Sequence, residues 1–160
     1  MAAHDTVTGE GVRVGVIDGG IDVSHPDLAG AIDVGASCSL VVGLKACTFA
    51  GYCFVDSVAA ALRYAGDQRL DVVNLSLFAD PYLYYCANEA GQRAIFQDLQ
   101  AAARYAQQRG GVIVAAAGNE AFDPGIRRRI GSAPTGRPTR PRSGTSATTA
   151  VSRRLRSQAW

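Results

Sequence analysis

Apolar residues along the chain recur at two alternating spacings, every second residue and every third to fourth. Val12, Val14, Val16 and Ile17 make a short apolar run that predicts a buried strand, with Thr8-Gly9-Glu10-Gly11 as the turn before it. Leu40-Val41-Val42 through Leu44 predicts a second strand. Asp56-Ser57 reads as the cap of a helix that carries Val58, Ala61, Leu62 and Ala65 on one face and stops at Gly66. Asp71 to Leu77 predicts a third strand. A longer helix with Ile95, Leu99, Ala102 and Ala106 on one side ends at Gly110-Gly111, and Val112 to Ala117 makes a fourth strand that runs into Gly118-Asn119.

Strands alternating with helices predict a parallel sheet of the α/β class, built from crossover connections. Chemistry in such sheets sits at the carboxyl ends of the strands. Three ends carry candidates: Asp18 after the first strand, Ser76 after the third and Asn119 after the fourth. A dinucleotide site is excluded, because Gly9, Gly11 and Gly15 do not make G-x-G-x-x-G and fall before or inside the strand instead of after it.

A length of 160 residues supports one domain with a core. The apolar share of 48% and charged share of 19% are those of a globular chain, and no apolar run reaches the roughly 18 residues a membrane span needs. The chain does not open on a basic stretch followed by an apolar one, so no signal peptide is expected. The net charge of +2 conceals two unlike pieces. Residues 1–123 hold all fourteen acidic residues and seven basic ones, a net of −7; residues 124–160 hold nine arginines and no acid. The expected division is therefore a folded part over 1–123 and a basic, disordered tail over 124–160 that is foreign to the fold. Its Arg-Pro-Ser-Thr-Gly-Ala composition is what an out-of-frame reading of GC-rich coding sequence gives. Nine arginines would bind phosphates without regard to sequence. Trp160 is the tail's single aromatic residue, so it offers no stacking platform and no specific nucleic acid is expected.

Four cysteines, Cys38, Cys47, Cys53 and Cys86, allow three disulfide connectivities. Cys47 and Cys53 flank the turn-like Thr-Phe-Ala-Gly-Tyr and are the preferred pair; buried free thiols are the alternative.

At the strand ends the sequence resembles the subtilisin-like serine peptidases. Val14-Gly15-Val16-Ile17-Asp18-Gly19-Gly20-Ile21-Asp22, followed by His25-Pro26-Asp27-Leu28, resembles the segment of the catalytic aspartate, which would be Asp18; Gly19 departs from the residue usual there. Asp71 to Leu77 resembles the strand that pairs with substrate backbone, giving Ser76 and Leu77 at an exposed edge. Ala115-Ala116-Ala117-Gly118-Asn119-Glu120 resembles the wall of the primary specificity pocket, with Ala116 and Gly118 against substrate and Asn119 in the oxyanion hole. The chemistry suits these residue types. A buried carboxylate orients a histidine and stabilises its imidazolium, an amide donor stabilises the tetrahedral oxyanion, and an extended peptide adds to a free strand edge. The resemblance implies a three-layer α/β fold, serine endopeptidase activity on peptides or proteins, secretion and no required cofactor. It also places Asp27 at a calcium-ligand position, with the remaining ligands unmatched.

The general base is missing from this pattern. His4 lies near the start and His25 in a turn that does not carry the base, so no catalytic histidine is identified. The helix that the family's histidine opens should lie between Asp18 and Leu40, where 21 residues remain. Ser143 to Ala150 resembles the nucleophile segment, making Ser146 the nucleophile, with Thr148 and Ala150 departing from it. Only 26 residues separate Ser146 from Asn119, too few for the remaining strands. The expectation is a peptidase fold lacking its histidine-bearing central helix and its C-terminal part, catalytically impaired and marginally stable. The alternatives are a peptide-binding pseudoenzyme, an active site assembled atypically from Asp18, His25 and Ser146, or non-specific nucleic-acid binding through the tail.

Overall fold

The computed structural model describes residues 6, 9–32, 41–82, 85 and 89–116. In chain order they form β1 (Val14–Asp18), a 3-10 turn (Pro26–Leu28), β2 (Val41–Lys45), α1 (Val55–Asp67), β3 (Val72–Leu75), α2 (Ala90–Gln108) and β4 (Val112–Ala115). The four strands make one parallel sheet in the order β2-β1-β3-β4. The first strand made thus lies inside the sheet, with β2 on one flank and β3 on the other.

Side chains at equal register on neighbouring strands share a face. Ile17 pairs with Leu44 and Leu75, and Leu75 with Ala115; Gly15 pairs with Val42 and Val73, and Val73 with Ile113. This face meets the helices. Ile17, Leu44, Val73 and Leu75 share one core with Val58, Ala59, Leu62 and Ala65 of α1 and Leu99, Ala102 and Ala103 of α2. Each fully buried Leu, Ile or Val in it contributes about 1.5–3 kcal/mol of transfer free energy. Arg13 sets the register at the amino end: its backbone N–H donates to Asp71 Oδ2 at 2.8 Å, and its carbonyl accepts from the N–H groups of Asp71 and Val72.

The helices depart from the sequence reading at their ends. Phe54, not Asp56-Ser57, occupies the N-cap of α1; Asp56 lies in the first turn, where its carboxylate accepts the Ser57 N–H at 2.8 Å. There it serves one of the donors that have no partner within a helix. Gly66 does not stop α1. It is buried, and a Cβ on it would fall 2.8 Å from Tyr105 Cδ1 and 3.1 Å from the Cα of Ala106, so it is the point of close approach between the two helices. α1 ends instead at Asp67 and is closed by Arg69, with φ 51°, where the Arg69 N–H donates to the Gly66 carbonyl and the Leu70 N–H to that of Ala65. α2 closes with the same pair of bonds, but on Gly110 at φ 98°. The left-handed residue that closes a helix is ordinarily glycine.

The resemblance implies three layers, and the described residues fill two. Both α-helices cover one face of the sheet, while between β1 and residue 32 the described chain forms only the 3-10 turn.

Two substitutions test these helix ends. Gly66→Val forces the helices apart and should lower stability by about 1–3 kcal/mol. Arg69→Gly relieves a strained backbone at some cost in unfolded-chain entropy, and should raise stability by about 0.5–1 kcal/mol. Urea-unfolding midpoints of the two variants, read by circular dichroism, check both signs.

Candidate functional site

The parallel register brings three of the expected positions to one edge of the sheet. Asp18 is the last residue of β1, Ser76 follows the last residue of β3, and Ala116 follows the last residue of β4. Asp18 is half-buried and its Oδ1 accepts the Gly19 N–H at 2.6 Å. Lys45 stands beside it in register on β2. Ser76 is exposed, and its hydroxyl accepts a hydrogen bond from Asn74 Nδ2 at 3.1 Å. The Ala116 N–H donates to the Leu75 carbonyl at 3.2 Å.

Two expectations for this edge change. β3 is paired on both flanks, so the strand offers no exposed edge; any free backbone lies beyond Leu75. Leu77 is 5% exposed and belongs to the core, so its side chain anchors the segment and is not available to substrate. Gly118, Asn119, Ser146, His4, Cys38 and Cys86 lie outside the described residues.

His25 is exposed, as the sequence reading of a surface turn expects. It is the N-cap of the 3-10 turn: Nδ1 accepts the Asp27 N–H at 3.2 Å and lies 3.9 Å from Asp27 Oδ2. Among the described residues, no imidazole hydrogen-bonds Asp18. Asp27 is exposed as well, and the described residues contain no group of three or more His, Cys, Asp or Glu side chains that could hold a metal ion.

The preferred disulfide forms, between Cys47 and Cys53. It closes a loop folded by the Gly51 N–H to the Thr48 carbonyl and the Thr48 N–H to the Tyr52 carbonyl, with Phe49 fully exposed at its tip. The carbonyl of Asp18 accepts the N–H groups of both Ala46 and Cys47, so the loop hangs from the candidate acid. Its other end is held by Asp80, which the sequence reading did not single out. Asp80 is 6% exposed; Oδ2 accepts the Cys53 N–H at 2.7 Å, while its backbone bonds Cys53 and Val55. Burial pushes the Asp80 carboxyl above its ordinary range, against the opposing effect of the Cys53 N–H. Tyr85, whose hydroxyl donates to the Ala79 carbonyl at 2.6 Å, is also raised, first by burial and then by the Asp80 charge. The signal for Asp80 in the sequence is slight: an acid ahead of a proline, which reads as a turn.

A carboxyl raised in the folded state binds protons more tightly there than in the unfolded chain, so Asp80 favours folding most at acid pH. Its contribution is lost as pH climbs from the ordinary carboxylate value, about 4, through the raised one. Asp80→Asn keeps an acceptor for the Cys53 N–H and removes the titration. Thermal unfolding between pH 4 and 7 should therefore fall less steeply in the variant; identical pH profiles would contradict the assignment.

No protein-family model and no curated protein matches the sequence. Solved structures do match in fold. A lanthipeptide protease superposes with a TM-score of 0.57 at 20% identity, over 68% of this chain and 39% of that one. A cold-adapted subtilisin-like serine proteinase gives 0.52 at 19% identity, over 71% and 49%. The nisin leader peptidase NisP of Lactococcus lactis gives 0.52 at 19% identity, over 68% and 44%. The chain thus spans less than half of each of these structures. The fold is α/β and matches part of the subtilisin-like protease fold, with the Asp18, Ser76 and Ala116 positions side by side on its sheet.

Proposed function

We propose that this chain is part of a subtilisin-like serine endopeptidase domain that takes extended peptides and hydrolyses them poorly or not at all. The observation that carries the reading is Asp18: a half-buried carboxylate at the carboxyl end of an internal strand, beside Ser76 and Ala116, with its oxygen on a backbone N–H and no imidazole on it among the described residues. The fold likeness to two proteases whose names refer to lanthipeptide and nisin-leader substrates supports a peptide substrate class. An extracellular setting is supported by the Cys47–Cys53 disulfide, a bond that oxidising compartments preserve. No helix among the described residues is long and apolar enough to cross a membrane.

The roles follow from chemistry. A peptide would lie along the backbone beyond Leu75, with Asn119 donating to the oxyanion and Ser146 as the attacking hydroxyl. That hydroxyl is a weak nucleophile until a neighbouring base takes its proton. The reading is supported by His25, whose Nδ1 accepts the Asp27 N–H in an exposed turn, with no hydrogen bond to Asp18. Subtilisin itself loses about a millionfold in turnover when its serine or histidine alone is removed.

The full chain, incubated with a chromogenic peptide substrate of the chymotrypsin type, should release no product above buffer. A fluorescent peptide of the same sequence should bind, and Ser76→Pro should abolish binding by removing a backbone donor. Hydrolysis that disappears in Asp18→Ala or Ser146→Ala would overturn the impairment, and absence of peptide binding would overturn the recognition.

A further inference from the structure

The sheet has a second face, and the helices leave it open. Val41, Val14, Val72 and Val112 form one row across it, and Gly43, Val16, Asn74 and Val114 the next. No member of either row is buried; Val112 is 59% exposed and Val114 49%. Ile21 covers the β2 side, where a Cβ on Gly43 would fall 2.7 Å from Ile21 Cγ2. The β4 side has no such cover among the described residues. Parallel sheets are ordinarily covered on both faces.

We propose that residues 122–130 of this chain supply that cover, laying Phe122, Ile126 and Ile130 against Val72, Val112 and Val114. The attachment point favours it. The described residues end at Ala116, two beyond the exposed Val114, and the five residues before Phe122 can span up to about 17 Å, enough to turn back. The sequence pattern agrees. Phe122, Ile126 and Ile130 recur every fourth residue, Asp123 stands at a cap position with Pro124 at the first helical one, and Gly131 is the stop. Residues 124–130 as a helix measure about 10 Å, against about 13 Å for the four residues of β4.

Charge and area select this occupant over a second copy. On that helix Arg127 and Arg129 flank the apolar stripe, and the body they would rest on, residues 1–121, carries seven basic against thirteen acidic residues. Four strands of four residues present a projected face of only about 250 Å², far below the roughly 800 Å² per partner that a stable dimer buries. A tethered segment needs less contact, because its effective concentration is in the millimolar range. The fold boundary would then lie near residue 131 instead of 123.

Limited trypsin digestion of the full chain, with mass spectrometry of cuts after Arg127, Arg128 and Arg129, tests this beside a synthetic peptide of residues 117–160. Cleavage in the protein should be slower by about tenfold or more, reporting the rarely detached state. Ile126→Ser/Ile130→Ser, which alters no residue of the sheet, and Val112→Thr/Val114→Thr should each restore the peptide's rate with unchanged circular dichroism. Sedimentation should give a monomer. Cleavage at the peptide's rate in the unaltered protein overturns the proposal, as does protection that survives Ile126→Ser/Ile130→Ser. Protection that appears only with a dimeric mass assigns the face to a second copy and overturns it too.

Discussion

The pairing of β1 with β2 and β3 governs everything else, because neighbouring residues of a strand face opposite sides and a slip of one residue exchanges them. With Val14 opposite Val41 and Val72, Ile17 enters the core and Asp18 turns to the other face at the strand's end. A slipped register would place a carboxylate among Leu44, Leu75 and the helices, where an unpaired charge is prohibitive. The hydrophobic effect that buries Ile17 thus also positions Asp18. The Arg13–Asp71 bonds fix the same register from the amino end, so the site at one edge of the sheet depends on contacts at the other.

From Asp18 the constraint passes to the disulfide loop. Its carbonyl holds Ala46 and Cys47, and Asp80 holds Cys53 and the start of α1. The loop is pinned at both ends before the disulfide closes it, which keeps an exposed Phe49 at a fixed place beside the strand ends. Asp80 bears the cost of this arrangement, since burial disfavours its charged form and the Cys53 N–H opposes that effect.

The centres of the elements were legible in the sequence and their ends were not, for physical reasons. Val14 to Ile17 and Val72 to Leu75 declare themselves by spacing and β-branched residues, which respond to local burial. Where a strand stops depends on how far its neighbours run, so β3 and β4 end at Leu75 and Ala115, short of Leu77 and Ala117. Gly66 illustrates the opposite error. Glycine signals a helix end when only the chain is considered, but here the approach of α2 needs the missing Cβ in the middle of the packing. Arg69 ends the helix with no glycine to announce it. At the candidate site, Asp18, Ser76 and Ala116 were readable because each follows an apolar run. Asp80 was hidden because its burial comes from segments distant in sequence, and the burial of the Leu77 side chain was hidden because a residue beyond a strand end can still point into the core.

Among the described residues, the uncovered valine face is also the face on which Asp18 stands without an imidazole. In the family that the sequence resembles, the histidine opens a helix lying between the aspartate strand and the next one, and that interval holds only 21 residues before Leu40 here. Loss of one helix would remove the proton acceptor and uncover the face of β1, β3 and β4 together. The two losses differ in how they can be made good. A sheet face accepts any apolar segment of suitable length, since hydrophobic burial is non-directional. A general base must stand within hydrogen-bond reach of its hydroxyl. Residues 122–130 carry the apolar stripe for the first task and no histidine for the second. On the proposed readings, the fold can therefore be completed by a segment that leaves its chemistry incomplete, so stability and catalysis need not have been lost together.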